Sequence, residues 1–401
     1  MTNSDPFTDP LPTNDPERFQ ASRVLTISAA HFIHDTYTAF LAPLLPALVD
    51  KLSLSIKAAG LLSVFLQAPS IMQPVLGYLA DRISLRLLVV LAPAVTGTLM
   101  SLLGVAPHYA VLAMLLVVAG ASSATMHAVG PVMVGNLSGR RMGQGMGFWM
   151  VGGELGRTLG PIIITSVVEL ASLDSTPWLM IGGVATSIIL FIRLRDVSGR
   201  SSNAGQELPL RQALRSMTPL LRPLTGIVIA RGFLVSALTT YLPLYLSAQG
   251  ANLGTAGRAL SVLEIAGVAG ALLGGLLSDK LGRRIVMTTA MIITPALMLA
   301  FIFATGWLQI PLLLGLGLTG LSLTPVIMAL VQESFPENKA LANGLYMAMN
   351  FVLRSVVVMI VGALGDWFGL RWAFTVSALI PLLSLPLIYK IPEKKHATPS
   401  N

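Results

Sequence analysis

The feature that most limits what this chain can fold into is a succession of apolar stretches, each roughly twenty residues long, the length at which a helix crosses a bilayer. About twelve fit, at residues 24–49, 58–80, 86–106, 109–135, 142–169, 176–193, 219–246, 256–278, 285–304, 307–332, 341–364 and 371–390. With 54% hydrophobic and 11% charged residues among 401, and a mean hydropathy of +0.76, the composition lies outside the soluble globular range, so lipid is the expected solvent. The 37 glycines and 25 prolines are tolerable there, because neighbouring helices re-satisfy the backbone groups they free. The lack of cysteine excludes disulfides, iron–sulfur clusters and thiolate metal sites.

A polar interruption at 194–218 divides the spans six and six. The expected organisation is a disordered cytoplasmic tail (1–22), an N-terminal six-helix bundle (23–193), a cytoplasmic linker (194–218), a C-terminal six-helix bundle (219–391) and a second tail (392–401). The first twenty residues are polar and proline-rich, unlike a cleavable signal peptide. Arg82, Arg86, Arg140, Arg141, six arginines from Arg193 to Arg222, Lys280, Arg283, Arg284, Lys339 and the C-terminal lysines fall on one face, and Lys51, Lys57, Arg258 and Arg371 on the other. Positive charge stays on the cytoplasmic side, which puts both termini and the linker there. The net charge of +8 follows from that bias and from contact with anionic lipid, so nucleic-acid binding is not implied.

The two halves are copies. GYLADRISLR at 77–86 returns as GLLSDKLGRR at 275–284, Asp81 maps to Asp279 and Ser63 to Ser261 at an offset of 198, and Gly147 maps to Gly344 and Arg157 to Arg354 at 197. Parallel six-helix repeats related by an axis along the membrane normal are a transporter architecture, with the ligand site between them near mid-membrane. The charged turns suit a gate: Gly77, Asp81 and Arg82 in one half and Gly275, Asp279, Lys280 and Arg283 in the other would form contacts that exist only when one mouth is closed. The simpler reading is that their cations only set topology.

Ionisable groups inside apolar spans cost about 2.5–3.5 kcal/mol each at a helix centre, so they mark function or a satisfied partner. On the first span His31, His34, Asp35 and Thr38 follow i, i+3, i+4, i+7 and form one polar stripe that must face a cavity or another polar group. Asp35 is the leading proton-site candidate. His127 sits among small residues on the fourth span, where a hydrogen-bonded structural role is the alternative. Glu154 and Arg157 lie three apart on the fifth, Arg231 stands at or beside the repeat position of His34, and Glu264 and Arg354 complete a balance of three acids and three arginines. Ion pairs that merely hold the halves together are the competing reading. Gly152, Gly156 and Gly160 share one helical face and allow close approach of another helix, with Pro161 loosening the ladder behind them.

These motifs make the chain resemble a major facilitator superfamily transporter, and more narrowly the fosmidomycin resistance family of bacterial efflux proteins. The likeness covers nearly the whole chain: the turn motifs, in which Ser84 and Leu85 depart from the usual pattern, HFIHD at 31–35, QPVLGYLADR, His127 after GASSATM, GGELGRTLGP at 152–161, and QESFPENKALANGL at 332–345. It implies an all-α membrane protein of about twelve transmembrane helices in two pseudo-symmetric six-helix bundles. The superfamily's antiporter signature is met by Gly147, Gly156, Gly160 and Pro161, without its final glycine pair. The superfamily's arginine of the fourth helix is absent, since the stretch reads AMLLVVAGAS, and Ala128 and Val129 replace the proline and acid that follow the family histidine.

The expected function is proton-coupled efflux, by antiport and alternating access, of a small drug-like or amphipathic compound at the bacterial inner membrane. No nucleotide-binding loop GxxxxGK[ST] occurs, and neither HExxH nor GxSxG, so no enzyme is expected. No cofactor or bound metal is expected, the partners are substrate, protons and lipid, and twelve helices suffice for a monomer. The residues alone also permit symport of an organic anion with protons, because an anion that takes an arginine from a carboxylate lets that carboxylate recruit a proton. Metal-ion export through His31, His34, Asp35 and His127, and a non-transporting membrane sensor, are more remote readings.

Overall fold

The computed structural model describes residues 19–80, 83–139, 142–199, 210–335 and 339–391. Within them the chain forms twelve helical rods: α1 Ala21–Leu52, α2 56–80, α3 Arg86–Val105, α4 Tyr109–Ser138, α5 Met142–Leu170, α6 Leu173–Arg193, α7 Met217–Ala248, α8 Leu253–Ser278, α9 Arg283–Phe303, α10 Gly306–Val331, α11 Leu345–Phe368 and α12 Leu370–Ile388. Ten are long and apolar enough to span a bilayer. The others are α2, made of the apolar helix Ile56–Met72 prolonged by Gln73–Ala80, and α5, which carries Glu154 and Arg157 among its glycines. The helix of α7 starts at Leu210, inside the stretch read as a linker.

Proline places the breaks. In α1 the helix interrupts at Ala39 and Phe40, four residues before Pro43, which has no N–H to continue the ladder. In α7 a π-turn at Ala237–Tyr241 precedes Pro243. The two breaks occupy repeat-related positions at the centre of the molecule.

The packing repeats with the sequence. In the first half α1 lies along α5, α3 against α6 and α2 against α4; in the second α7 lies along α11, α9 against α12 and α8 against α10. The halves meet through α5 on α8 and α2 on α11. Gly152, Gly156 and Gly160 carry the α1–α5 contact, each facing the backbone of Ser28, Phe32 and Thr36 in turn, where a Cβ would collide. The sequence expectation for that glycine face therefore holds, and its partner is α1.

Three apolar cores show how the halves sit. One, containing Phe40, Leu44, Leu62 and Ile164 with Tyr241, Leu260, Phe301 and Phe374, draws on both halves. The second, around Met217, Leu224, Ile327 and Tyr346, belongs to the second half alone, and the third, around Val24, Ile27, Met133 and Trp149, to the first. The halves thus share a core at one end and keep separate cores at the other. Gly147 and Gly275, towards the unshared end of α5 and α8, have open space where a Cβ would stand.

Each half is also closed on itself by an arginine of its charged turn. Arg86 donates from Nε to the Leu194 carbonyl at 2.6 Å and from Nη2 to Phe191 at 3.2 Å, and its guanidinium stands 5.8 Å from the Phe191 ring centroid. Arg284, 198 positions on, donates to the carbonyls of Ile391 (2.9 Å) and Tyr389 (3.3 Å) and stands 5.7 Å from the Tyr389 ring. Carbonyls at the end of a helix have spare acceptor capacity, and these arginines use it as C-terminal caps.

Candidate functional site

Asp35 is 1% exposed, in the middle of the bilayer-spanning part of α1, just before the break at Ala39. Three cationic or ionisable partners converge on its carboxylate. His31 Nε2 lies 3.4 Å from Oδ2, His127 Nε2 3.5 Å from Oδ1, and Arg157 Nη1 donates to Oδ2 at 3.2 Å. Arg157 also pairs with Glu154 one turn back on α5. The two imidazoles touch each other, Nε2 to Nε2, at 3.3 Å.

Backbone carbonyls fix the tautomer of both rings. His31 Nδ1 is 2.9 Å from the Trp149 carbonyl and His127 Nδ1 2.9 Å from that of Ser123. A carbonyl can only accept, so each Nδ1 carries the hydrogen and each neutral ring turns a bare Nε2 inward. Two lone pairs and a carboxylate therefore face one another with no hydrogen between them. The Trp149 ring stacks on His31 at 3.7 Å and 9°, which holds the imidazole in that orientation.

The cluster opens onto a cavity of about 350 Å³ between the halves, lined by Asp35, His127 and Arg157 on one side and Thr239, Glu264 and Arg354 on the other. A larger cavity of about 420 Å³ lies wholly in the second half, around Tyr245, Phe303 and Arg371, away from the buried acids. The cluster and the paired repeat positions make the interfacial cavity the candidate site. Arg157 and Arg354, related by the repeat, both reach it.

The remaining candidates separate. His34 is fully buried and does not line the cavity. Its ring stands edge-on to that of His127 with 5.9 Å between centroids, so it packs behind the cluster and off the cavity wall. Arg231, its repeat counterpart, is 7% exposed and also stands off the cavity, donating to Thr324 Oγ1 at 2.7 Å. Arg354 donates to Thr239 Oγ1 at 2.8 Å. Neither of these arginines is within ion-pair reach of a carboxylate among the described residues, and the Nε of each has no hydrogen-bond partner there.

Of the gate candidates, Asp81 and Arg82 lie outside the described residues, Gly77 lies on α2, Asp279 lies just past α8 where its helix runs on to Leu281, and Lys280 is exposed. Arg283 bonds Ser278 within its own turn. Of the antiporter-signature positions, Gly156 and Gly160 sit at the α1–α5 contact, Pro161 lines the cavity, and Gly147 faces open space. The sequence reading missed Trp149 and Ser123, which act through their carbonyls, and Thr239 and Thr324, whose hydroxyls hold the two arginines. Only the threonines carry a side-chain signal, as hydroxyls within apolar spans.

Comparison with known proteins agrees with this architecture. The family model described as Major Facilitator Superfamily matches residues 27–321 and 246–401. The fosmidomycin resistance protein of Escherichia coli is 22% identical over 92% of this chain and 92% of its own length. An MFS-type efflux pump of Mycolicibacterium smegmatis is 33% identical, over 40% of this chain and 42% of its own. Among solved structures, a bacterial homologue of the human lysosomal transporter Spinster, inward-facing and unoccupied, superposes with a TM-score of 0.79 at 13% identity, covering 94% of this chain and 97% of that one. The nucleoside transporter NupG gives 0.75 at 13% identity, over 92% and 99%.

Proposed function

The chain belongs to the Major Facilitator Superfamily, and from that premise we propose that this multi-pass membrane transporter is a proton-coupled exporter of a small amphipathic compound, working by alternating access at the bacterial inner membrane with both termini cytoplasmic. The observation that carries the proposal is the His31–Asp35–His127 cluster. With both Nδ1 hydrogens committed to carbonyls, one proton placed on either inward Nε2 turns a contact of three acceptors into a hydrogen-bonded set. Charge points the same way. Asp35 and Glu154 against Arg157 leave one negative charge in a low-dielectric setting, which one proton neutralises.

Coupling follows from sharing. Asp35 is held either by Arg157 or by a protonated imidazole, and Arg157 can turn fully to Glu154 when the proton arrives. A substrate that occupies the cavity beside Asp35 and His127 competes for the space in which the proton enters. One site that serves both in turn gives exchange: substrate leaves on one side, a proton enters from that side, and the empty carrier does not return uncoupled. The fosmidomycin resistance protein of Escherichia coli and the efflux pump of Mycolicibacterium smegmatis support the outward direction.

A second reading has its own observation. Arg354 on the cavity wall has no carboxylate in ion-pair reach, and Arg231 behind it has none either, among the described residues. An anionic substrate held by Arg354 would give proton symport or export of an acid. Purified transporter in proteoliposomes under an imposed pH gradient, offered cations, neutral amphiphiles and organic anions, distinguishes the two. Export is supported by gradient-driven movement of substrate against the direction of proton flow. Movement with the protons, confined to anions, establishes symport instead.

A further inference from the structure

At the end where the halves share a core, the helices that join them begin with bare N–H groups, and each set is answered by a carboxylate from the opposite half. Asp366, near the end of α11, accepts from Ile56 N at 2.6 Å through Oδ1 and from Lys57 N at 2.9 Å through Oδ2, at the first turn of α2. Glu169, at the end of α5, accepts from Gly254 N at 2.8 Å, at the first turn of α8. Ser55 and Asn252 complete the caps from within, accepting from Ala58 N (3.1 Å) and Thr255 N (2.8 Å). The pairs Asp366 and Glu169, Lys57 and Gly254, Ser55 and Asn252, and Ala58 and Thr255 are each 197 positions apart, so the two caps are one device copied by the duplication.

The surroundings are copied too. Gly257 of α8 presses on Thr165 and the Pro161 carbonyl of α5, and Gly60 of α2, 197 positions before it, presses on Val358 of α11 and on Tyr241 of α7. The Tyr241 hydroxyl donates to the Val358 carbonyl at 2.7 Å. At the opposite end of α5 and α8 the corresponding faces at Gly147 and Gly275 stand open.

We propose that Glu169 and Asp366 are a pair of latches that hold this mouth of the transporter shut, each carboxylate capping the N-terminus of a helix of the other half. A helix start presents partial positive charge and unpaired donors, and a carboxylate is the side chain that answers both. When the mouth opens, α11 must leave α2 and α5 must leave α8, so all three cross-half hydrogen bonds break together and the donors pass to water. The latch therefore biases the conformational balance towards the state with this mouth closed, whatever is carried. Asp366, with two bonds against one, is the stronger half.

The inference rests on the alternating access proposed above, but its test reads conformation without substrate. The chain has no cysteine. A single reporter cysteine at Ala42, on the cavity wall, is labelled in membrane vesicles by an impermeant maleimide from either side, with a cysteine at Gln249 marking the latch side. Relative to the parent, Glu169→Gln is expected to raise latch-side labelling of the reporter about twofold, Asp366→Asn about threefold and the double variant more than either, with opposite-side labelling falling. Ile56→Pro checks the acceptor side: Ser55 is already extended and proline is tolerated at the first helical position, so it removes one N–H without changing charge and should also raise latch-side access. Unchanged latch-side labelling in the folded double variant overturns the latch, and leaves the proton site to be judged by transport. Should the double variant fail to fold, Ile56→Pro with parental labelling overturns it equally.

Discussion

The two walls of the central cavity hold charge in opposite ways. On the first-half wall Asp35, His31, His127, Arg157 and Glu154 are knit into one cluster with every charge beside another. On the second-half wall Arg354, the repeat of Arg157, leans on a threonine hydroxyl, and Arg231 behind it does the same. A duplicated chain began with equal walls, so the difference fits the division of labour proposed above, in which the Asp35 cluster takes the proton and Arg354 meets the charge of an anionic substrate.

The comparison breaks most readily at Asp35. Asp35→Asn is expected to lower gradient-driven transport by at least about tenfold, roughly 1.4 kcal/mol of coupling, while gradient-free counterflow persists. Full gradient dependence in that variant, measured in proteoliposomes, would refute the proton assignment. Arg354→Gln tests the other wall. The concentration of an anionic substrate needed for half-maximal transport should rise about threefold to tenfold, the effect of losing one charge-assisted contact, with the pH profile unmoved; a shifted profile would mean that the two walls share one task. His127→Gln keeps a polar side chain but loses the ring nitrogen beside Asp35, and should narrow the pH range of transport with a drop of about threefold, intermediate because His31 remains. The smallest effect is expected at His34. It packs behind His127 and off the cavity wall, so His34→Leu should leave transport near parental. A large loss of transport there would return His34 to the working stripe.

Much of this was readable from residues alone. Twelve spans, the six-and-six division and the glycine face of α5 follow from hydropathy and spacing, because lipid leaves few solutions and a glycine run on one face has one obvious use. Asp35 and Arg157 stood out because a charge in an apolar span is costly. What could not be read is what depends on backbone atoms of distant helices. The carbonyls of Trp149 and Ser123 decide which nitrogen of each histidine points inward, and neither leaves a trace in side-chain pattern. That Asp35 reaches the cavity wall while His34 packs behind His127 depends on which neighbours surround α1. The carboxylates Glu169 and Asp366 were legible in principle, since they sit at the repeat offset, yet near span ends acids draw little notice.

Arg86 and Arg284 carry a consequence for biogenesis. Each belongs to the turn after its half's second helix, yet its carbonyl partners lie at or beyond the end of the sixth, more than a hundred residues later in the chain. During synthesis that guanidinium must wait at the membrane surface, solvated or bound to lipid phosphate, until its own sixth helix has been inserted. A misthreaded sixth helix would leave that arginine without its carbonyls.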